Sequence, residues 1–509
     1  MAERRFIEIM DTTLRDGEQT SGVSFTEKEK LHIAQLLLEE LKVDRIEIAS
    51  ARVSEGEFRS AKLIFDWAAQ NKYLDRIEVL GFVDDRESLN WIRKAGGRVI
   101  NLLTKGSLRH CSEQLRKSPE QHLEDIRHVL RNAQKMGIRA NIYFEDWSNG
   151  MRHSPEYVTR MIDALQDEPI ERFMLPDTLG ILNHSEAYRF CREVVERYPK
   201  LHFDFHAHND YDLATANVFE SIRAGVHGIH TTLNGLGERA GNVPLSSVIG
   251  IVRDHFNYRL SLNEKKLYSV SKIVETFSGI RIPPNKPLIG ENVFTQTSGI
   301  HADGDHKNKL YHNDLMPERF GRKRQYALGK MSGKASIVKN LEEIGIELLP
   351  DEMKLVTQRV IELGDKKETV TKEDLPYIIA DVLKGERIAE KIRILNYSLN
   401  MAAGLKPTAT LSIEIRGKVY QETANGDGQY NAFMNALWRI YDHLGKKHPR
   451  LADYVVTIPP GGKTDALVEA IITWDFSGRN FKTKGLDSDQ TVAAIKATHR
   501  MLNLIETLK

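Results

Sequence analysis

Residues 201–210 read Leu-His-Phe-Asp-Phe-His-Ala-His-Asn-Asp. Apolar and polar residues alternate through the first half of this stretch, and a period of two predicts a β-strand. Side chains two residues apart project from the same face of a strand, so His206 and His208 point together at its end. Imidazole is a frequent ligand of divalent metal ions, and such a site needs a further, usually anionic, ligand. For this pair taken by itself, an ordinary polar strand end is the alternative interpretation.

Length and composition limit the class of protein. A chain of 509 residues exceeds what one core ordinarily holds and predicts two or three domains. Its 72 Lys and Arg against 71 Asp and Glu argue against a nucleic acid or an anionic membrane as partner. Cys111 and Cys191 are too far apart in sequence to indicate a disulfide framework or a thiolate metal site. The start lacks an apolar signal segment and no long apolar run follows, so we expect a cytoplasmic protein.

The first part of the chain repeats one theme, a short apolar run followed by an amphipathic stretch. The predicted strands are 6–10, 45–49, 77–82, 99–103, 140–144, 173–175, 202–205 and 228–233. Their spacing of roughly 25 to 40 residues fits one strand, one crossover helix and two loops. Eight such units predict an α/β fold, a closed (β/α)₈ TIM barrel over residues 1–265. An open doubly wound sheet is the alternative, but the first strand is followed by 11–17, Asp-Thr-Thr-Leu-Arg-Asp-Gly, rather than by a glycine-rich phosphate turn.

Titratable residues follow the predicted strand ends, where the chemistry of such barrels lies. Asp16 follows the first strand and supplies the carboxylate that the histidine pair needs. One Asp and two His leave open positions on a divalent ion, an arrangement that polarises a carbonyl substrate. Arg15 is placed beside them to stabilise a developing alkoxide. We expect Mg²⁺ or Mn²⁺ as the cofactor, while Zn²⁺ also suits imidazole ligands.

Three further segments follow the barrel. Residues 266–325 form a predicted exit segment, which has three prolines between 279 and 290 and carries His-Ala-Asp-Gly at 301–304. Residues 326–390 predict a small helical connector. Residues 391–509 return to a period of two in two similar halves, which predicts a C-terminal α+β domain for dimerisation or small-molecule sensing. Six basic residues between 319 and 334 are either solvated surface or a site for the phosphates of a nucleotide-like cofactor.

The motifs resemble those of the acyl-CoA-dependent condensing enzymes typified by isopropylmalate, homocitrate and citramalate synthases, the metal-dependent DRE-TIM metallolyase type. The matching pieces in the barrel and exit segment are 11–19, 175–180, 206–210, 234–242 and 301–304. Residues 426–428, 461–466 and 485–490 are similar to the allosteric domain of that family. Residues 102–106, 145–149 and 317–324 look most like its citramalate synthase members. The resemblance covers nearly the whole chain.

The resemblance implies a role for each matching residue. The implied metal ligands are Asp16, His206 and His208, with Asn242 near by. The implied catalytic groups are Arg15, Glu145 and His301. The implied substrate-binding residues are Arg15 and Thr178 for a 2-oxo acid, Leu80, Leu103 and Tyr143 around its C3 group, and Asp303 and Tyr311 near acetyl-CoA. The residues expected to line an effector pocket are Tyr430, Leu451, Tyr454, Ile458 and Val468.

The reaction implied by the resemblance is condensation of acetyl-CoA with pyruvate, followed by hydrolysis to citramalate and CoA. Leucine side chains around C3 suit the methyl group of pyruvate, and each excluded methylene is worth roughly 1–3 kcal/mol. The alternative is a 2-isopropylmalate synthase, with the same chemistry on 2-oxoisovalerate. From another class, a metabolite-binding regulator would keep the barrel without turnover. The resemblance also implies a homodimer with shared active sites and isoleucine as the effector, and no nucleic acid or membrane as partner.

Overall fold

The computed structural model describes residues 4–298, 300–301, 304, 308, 310–344, 346–365, 370, 372–382, 391–457 and 468–507. The chain forms two compact units. The first consists of Met1–Thr295 and His312–Arg324, and the second of Gln296–Tyr311 and Gln325–Lys509.

Eight parallel strands close into a barrel in the first unit, in the order of the chain. The strands are β1 (Glu8–Asp11), β2 (Arg45–Ser50), β3 (Ile77–Phe82), β4 (Val99–Lys105), β5 (Arg139–Glu145), β6 (Ile170–Asp177), β7 (Phe203–Ala207) and β8 (Gly228–Thr231). Parallel pairing of β1 with β8, from Glu8 opposite Gly228 to Asp11 opposite Thr231, closes the sheet on itself. The predicted TIM-barrel fold is therefore confirmed, and the open doubly wound sheet is excluded.

Helices separate the strands and continue after the last one. They are α1 (Glu27–Gln35), α2 (Glu55–Asn71), α3 (Glu87–Ala95), α4 (Pro119–Lys135), α5 (Trp147–His153), α6 (Pro155–Leu165), α7 (His184–Arg197), α8 (Ala214–Ala224), α9 (Leu245–Gly250) and α10 (Leu267–Ser278). The sequence fixes several of their starts. Thr26 caps α1 through a reciprocal pair of hydrogen bonds with Glu29, and such a cap contributes about 1 kcal/mol.

The strands sort their side chains between two environments. Ile46 and Ile48 of β2 belong to the apolar core between sheet and helices, whereas Glu47 between them hydrogen-bonds inside the barrel. This division follows from the alternation of side chains along a strand. Buried polar residues therefore line much of the barrel interior, and that interior positions the candidate site.

The second unit begins with short elements and three helices. They are β9 (Thr295–Gln296, which starts at the end of the first unit), β10 (Gln325–Tyr326), α11 (Lys334–Ile344), α12 (Pro350–Asp365) and α13 (Leu375–Val382). These three helices share a small separate core, which includes Leu341, Val356 and Leu375. Across the described residues of both units, no helix combines the length and the apolar character needed to cross a membrane.

Two antiparallel sheets of three strands complete the second unit. The elements are β11 (Ile392–Asn400), β12 (Thr408–Ile415), β13 (Lys418–Asn425), α14 (Gln429–His443), β14 (Arg450–Thr457), β15 (Val468–Phe476), β16 (Arg479–Asp487) and α15 (Gln490–Thr507). Each half thus runs through three strands and one helix, and both halves share one apolar core that includes Leu411 and Trp474. The predicted C-terminal α+β fold with two similar halves is confirmed, while the boundary between connector and regulatory domain stays a prediction.

Candidate active site

Three predicted ligands converge at the carboxyl end of the barrel strands. Asp16 follows β1, His206 lies in β7, and His208 lies just beyond it. All three side chains are buried, and each offers a ligand atom within 4.8 Å of the others. The Nε2 atoms of His206 and His208 are 3.4 and 3.8 Å from Asp16 Oδ2. A backbone bridge between His208 and Asn242 brings the fourth predicted residue beside the triad.

Several buried polar atoms around this point have no hydrogen-bond partner among the residues that the structure describes. They are Asp16 Oδ1, His206 Nδ1, His208 Nδ1 and Asn242 Oδ1. Buried polar atoms are costly to leave unsatisfied, and each such atom requires an explanation. Carboxylate, amide oxygen and imidazole are suitable donors for a divalent ion with open coordination positions. The residues present therefore fit a divalent metal ion.

Electrostatics give the triad the protonation states that metal ligands need. Burial lowers the pKa of both His206 and His208, although the Asp16 carboxylate opposes this effect. Burial alone would raise the pKa of Asp16, but the Arg15 guanidinium outweighs it and holds that pKa below its usual range. The triad thus combines two neutral imidazoles with one ionised carboxylate, which is the donor set that binds a cation.

Arg15 lies beside the triad and is held by two carboxylates. Its Nε donates to Glu47 Oε2 at 2.6 Å, and its Nη1 donates to Asp16 Oδ2 at 2.9 Å. Glu47 also accepts hydrogen bonds from Thr12 Oγ1 and Asn101 Nδ2, both at 2.8 Å. Burial lowers the pKa of Arg15, but the Glu47 and Asp16 carboxylates more than compensate, so the net pKa rises. The guanidinium is therefore a fixed and permanent positive charge next to the candidate metal site.

Strands β4 and β5 present three matched pairs of side chains to the barrel interior. The register pairs Asn101 with Asn141, Leu103 with Tyr143, and Lys105 with Glu145. In the deepest pair, Asn141 Nδ2 donates to Asn101 Oδ1 at 2.8 Å. In the pair nearest the mouth, Lys105 Nζ and Glu145 Oε2 form an ion pair. An apolar layer thus lies between two polar ones.

That apolar layer is part of a small closed cluster. Its buried members are Met10, Leu80, Tyr143 and Met174, with half-buried Leu103 packed against them. The structure therefore brings together all three residues predicted to line the pocket around C3. The Tyr143 ring lies 5.6 Å from the His206 ring, so the cluster adjoins the triad. The two methionines escape sequence reasoning because an apolar residue inside a strand carries no signal beyond burial.

Thr178 lies in the loop after β6 and is fixed from two sides. Its hydroxyl accepts from the Asp146 N–H at 2.9 Å, and its carbonyl accepts from Arg239 Nη2 at 2.8 Å. Arg239 also donates to both carboxylate oxygens of Asp210, at 2.7 and 3.0 Å. This arginine joins the loops after β6, β7 and β8, and only the tertiary structure identifies it.

The remaining predicted catalytic and substrate-binding residues divide between the units. Glu145 ends β5 in the barrel, whereas His301 and Tyr311 belong to the second unit. The His301 and Tyr311 rings lie 4.1 Å apart, and both side chains are exposed. Asp303 lies outside the described residues. The first unit by itself therefore contains Arg15, Glu145 and the triad, but not the complete predicted set.

The residues predicted to line the effector pocket are not all neighbours. The Tyr430 and Tyr454 rings lie 5.5 Å apart, so these two share one site. Leu451 lies opposite Trp474 of β15, whereas Val468 starts that strand six residues earlier. At about 3.3 Å per residue this separation is about 20 Å, too far for one amino-acid side chain to contact both residues. We expect the pocket to form where two such modules meet at the dimer axis, so its lining residues stay a prediction. Ile458 lies outside the described residues.

The basic residues near the end of the exit segment have internal partners. Arg319 pairs with Glu264 at 2.6 Å and with Asp254 at 2.7 Å. Arg322 donates to the carbonyls of Gly290 and Glu291 at 2.6 and 2.9 Å, and burial lowers its pKa. These two arginines fasten the exit segment within the first unit, whereas a role of the basic residues toward cofactor phosphates stays a prediction.

Family models match the chain along most of its length. The HMGL-like model matches residues 6–274, which form the barrel. The chain belongs to the HMGL-like family. A homocitrate synthase post-HMGL domain-like model matches residues 288–368, and a LeuA allosteric (dimerisation) domain model matches residues 369–506. The predicted family resemblance is therefore confirmed.

Two curated relatives span nearly the same length. Identity is 30% over 501 residues with (R)-citramalate synthase CimA of Methanocaldococcus jannaschii, covering 98% of this chain and 99% of that protein. It is 32% over 506 residues with 2-isopropylmalate synthase of the same organism, covering 98% and 94%. A solved HMG-CoA lyase from Bacillus subtilis aligns with a TM-score of 0.48 and 21% identity, covering 56% of this chain and 97% of that one. This HMGL-like chain is thus one of the acyltransferases that include isopropylmalate and citramalate synthases, and the predicted enzyme class is confirmed.

Proposed function

We propose that this enzyme is an (R)-citramalate synthase, which condenses acetyl-CoA with pyruvate and hydrolyses the thioester to citramalate and CoA. One observation carries the choice of pyruvate. Leu80, Leu103 and Tyr143 form an apolar cluster with Met10 and Met174, and its tyrosine ring contacts the ring of His206. The methyl group of pyruvate fits against such a wall, and the branched group of 2-oxoisovalerate meets it. Each excluded methylene discriminates by roughly 1–3 kcal/mol.

The chemistry requires a carbon nucleophile and a stabilised oxyanion. A base removes a proton from the acetyl methyl group, the carbon attacks C2 of pyruvate, and the keto oxygen becomes an alkoxide that is protonated. Water then cleaves the thioester and CoA leaves as the thiol. A divalent ion bound by Asp16, His206 and His208 would polarise the keto group as a Lewis acid.

The residues of the chain divide the remaining work. Arg15, fixed by Glu47, neutralises charge that develops on the keto oxygen, and it does so without reorganising. Thr178, fixed by the Asp146 amide, contacts the substrate carboxylate. Glu145 at the barrel mouth and His301 are the acid/base pair.

The test is thiol release from acetyl-CoA with a panel of 2-oxo acids. We expect kcat/KM to be highest with pyruvate and at least about 10-fold lower with 2-oxoisovalerate. The reverse order would support a 2-isopropylmalate synthase. The relative with that name is as similar in sequence to this chain as the citramalate synthase is. If no 2-oxo acid causes thiol release while the metal stays bound, the result would support the alternative of a metabolite-binding regulator without turnover.

We infer further that the enzyme acts as a homodimer with shared sites and that isoleucine inhibits it. The match to a LeuA allosteric (dimerisation) domain supports a dimer with an allosteric effector. The exposed His301 and Tyr311 rings, outside the unit that holds the triad, support a site completed by another chain. Mixed dimers of Arg15→Ala and His301→Ala protomers contain one intact site and should recover activity. Exchanged dimers without any recovery would contradict the shared site.

A further inference from the structure

Lys105 has no role in the proposed function, yet it lies inside the barrel mouth. It ends β4, and its side chain is only 8% exposed. A lysine is rarely buried this far without an anionic partner, because removing an ammonium group from water is costly. Its Nζ forms an ion pair with Glu145 Oε2 on the neighbouring strand. Among the described residues, none other bonds a Glu145 carboxylate oxygen.

The backbone of Lys105 is held in place from behind the sheet. Its N–H donates to His122 Nε2 at 3.1 Å, and its carbonyl accepts from the Tyr157 hydroxyl at 3.1 Å. Burial lowers the pKa of His122 to about 4, so the neutral ring keeps a lone pair for this N–H. The strand end that carries the ammonium group is therefore rigid.

The register places the ion pair directly above the apolar layer. Side chains two residues apart share one face of a strand, so Lys105 lies beyond Leu103. In the same way Glu145 lies beyond Tyr143, which is opposite Leu103. The carboxylate therefore sits at the mouth of the cluster to which we assign the methyl group of pyruvate.

We propose that Lys105 is a positioning residue that holds the Glu145 carboxylate over the acceptor pocket. This inference rests on the proposed function, because that function makes Glu145 an acid/base group. A free glutamate side chain samples several rotamers, and proton transfer needs one geometry within hydrogen-bond reach of the substrate. The ion pair engages Oε2 and leaves Oε1 for the transferred proton.

Steady-state kinetics with pyruvate and acetyl-CoA test the proposal. Lys105→Met should lower kcat roughly 10-fold or more, while both KM values stay within about twofold. Lys105→Arg keeps a cation within reach and should restore most of kcat. The matched control is Lys117→Met, because Lys117 pairs with Asp125 on the exposed surface and should leave kcat unchanged. Where Lys105→Met does not fold, Lys105→Gln is measured in the same way.

Three kinetic outcomes would overturn the proposal. An unchanged kcat would show that the ion pair does not matter for turnover. A raised KM with intact kcat would show that Lys105 binds substrate instead of holding Glu145. Equal loss in the Arg and Met variants would also count against it, because a positioning cation should be replaceable in part.

A melting-temperature cycle separates this inference from the proposed function. The variants are Lys105→Met, Glu145→Gln and the double variant, and none of the measurements needs turnover. If the side chains interact, the melting temperature of the double variant should fall by less than the sum of the decreases in the two single variants. Additive losses would overturn the ion pair whatever the enzyme catalyses. A non-additive cycle in an enzyme that releases no thiol would instead refute the proposed function.

Discussion

Arg15 Nε lies 2.6 Å from Glu47 Oε2, and this bond joins the loop after β1 to the inside of β2. Both side chains are nearly excluded from solvent. A buried charge pair is stabilised only when its remaining polar atoms are also bonded, and Glu47 meets that condition through Thr12 and Asn101. The bond therefore orients a cation before any substrate arrives.

Glu47→Gln keeps the shape of this side chain and removes its charge. Because the neutral amide orients Arg15 less firmly, we expect kcat to fall roughly 10-fold or more. Metal content should stay at the wild-type level, since Glu47 is not a ligand, and elemental analysis of the purified variant checks this. A kcat within twofold of wild type would contradict the role of Glu47.

Removal of the metal should abolish turnover. Chelation followed by gel filtration should give an inactive protein, and added Mg²⁺ or Mn²⁺ should restore it. His206→Ala and His208→Ala should each lose metal and activity, whereas exposed His128→Ala should lose neither. Full metal content and turnover in both site variants would place the metal elsewhere.

Leu103→Ala should relax the preference for pyruvate. Because the substitution opens space beside Tyr143, the ratio of kcat/KM for pyruvate over 2-oxoisovalerate should fall roughly 10-fold. Leu108→Ala is the matched control, since that leucine is exposed beyond the end of β4. If the ratio of kcat/KM values is unchanged in Leu103→Ala, Leu103 does not determine the preference for pyruvate.

Asp11 makes stability depend on pH. Burial raises its pKa from 3.8 to about 7, although hydrogen bonds from Thr13 oppose the shift. Because the folded state binds this proton more tightly than the unfolded state, its contribution to stability is fully present below about pH 4. That contribution is lost as the pH rises to about 7. Three pKa units correspond to at most about 4 kcal/mol. The free energy of unfolding in urea should therefore rise for Asp11→Asn relative to wild type as the pH increases across that range. Parallel curves of unfolding free energy against pH for the two proteins would disprove the expectation.

Isoleucine should inhibit the intact enzyme, and leucine should not. Inhibition requires different affinities for two states of the enzyme, so a change at the effector site should shift it. Tyr454→Ala removes one of the two neighbouring rings and should weaken inhibition by isoleucine without changing basal kcat. Truncation near residue 390 should abolish inhibition. Inhibition by millimolar leucine instead would revive the 2-isopropylmalate interpretation.

The sequence by itself determined the barrel and the place of the triad. Each of its eight strands is an apolar run, and residues 77–82 match β3 residue for residue. Topology explains why Asp16 meets His206 and His208, since parallel strands of a barrel bring their carboxyl ends to one rim. A local pattern was enough because the apolar residues of each strand indicate that it is buried.

Two strands of the second unit had no such pattern. β13 is largely polar and exposed, and β16 is rich in polar residues, so neither sequence shows the clear alternation of apolar and polar residues that predicts a strand. Their pairing with β12 and β15 determines their conformation, and only the folded sheet supplies those partners.

The contacts between strands were decided by the tertiary structure as well. Lys105 and Glu145 are 40 residues apart, and their contact depends on the register of β4 against β5. A shift of one residue would turn each side chain to the opposite face of the sheet. In the second unit, the register of β14 against β15 places Leu451 opposite Trp474, six residues from Val468. Residue types state which groups are available, but register and packing against the whole barrel or sheet decide which of them meet.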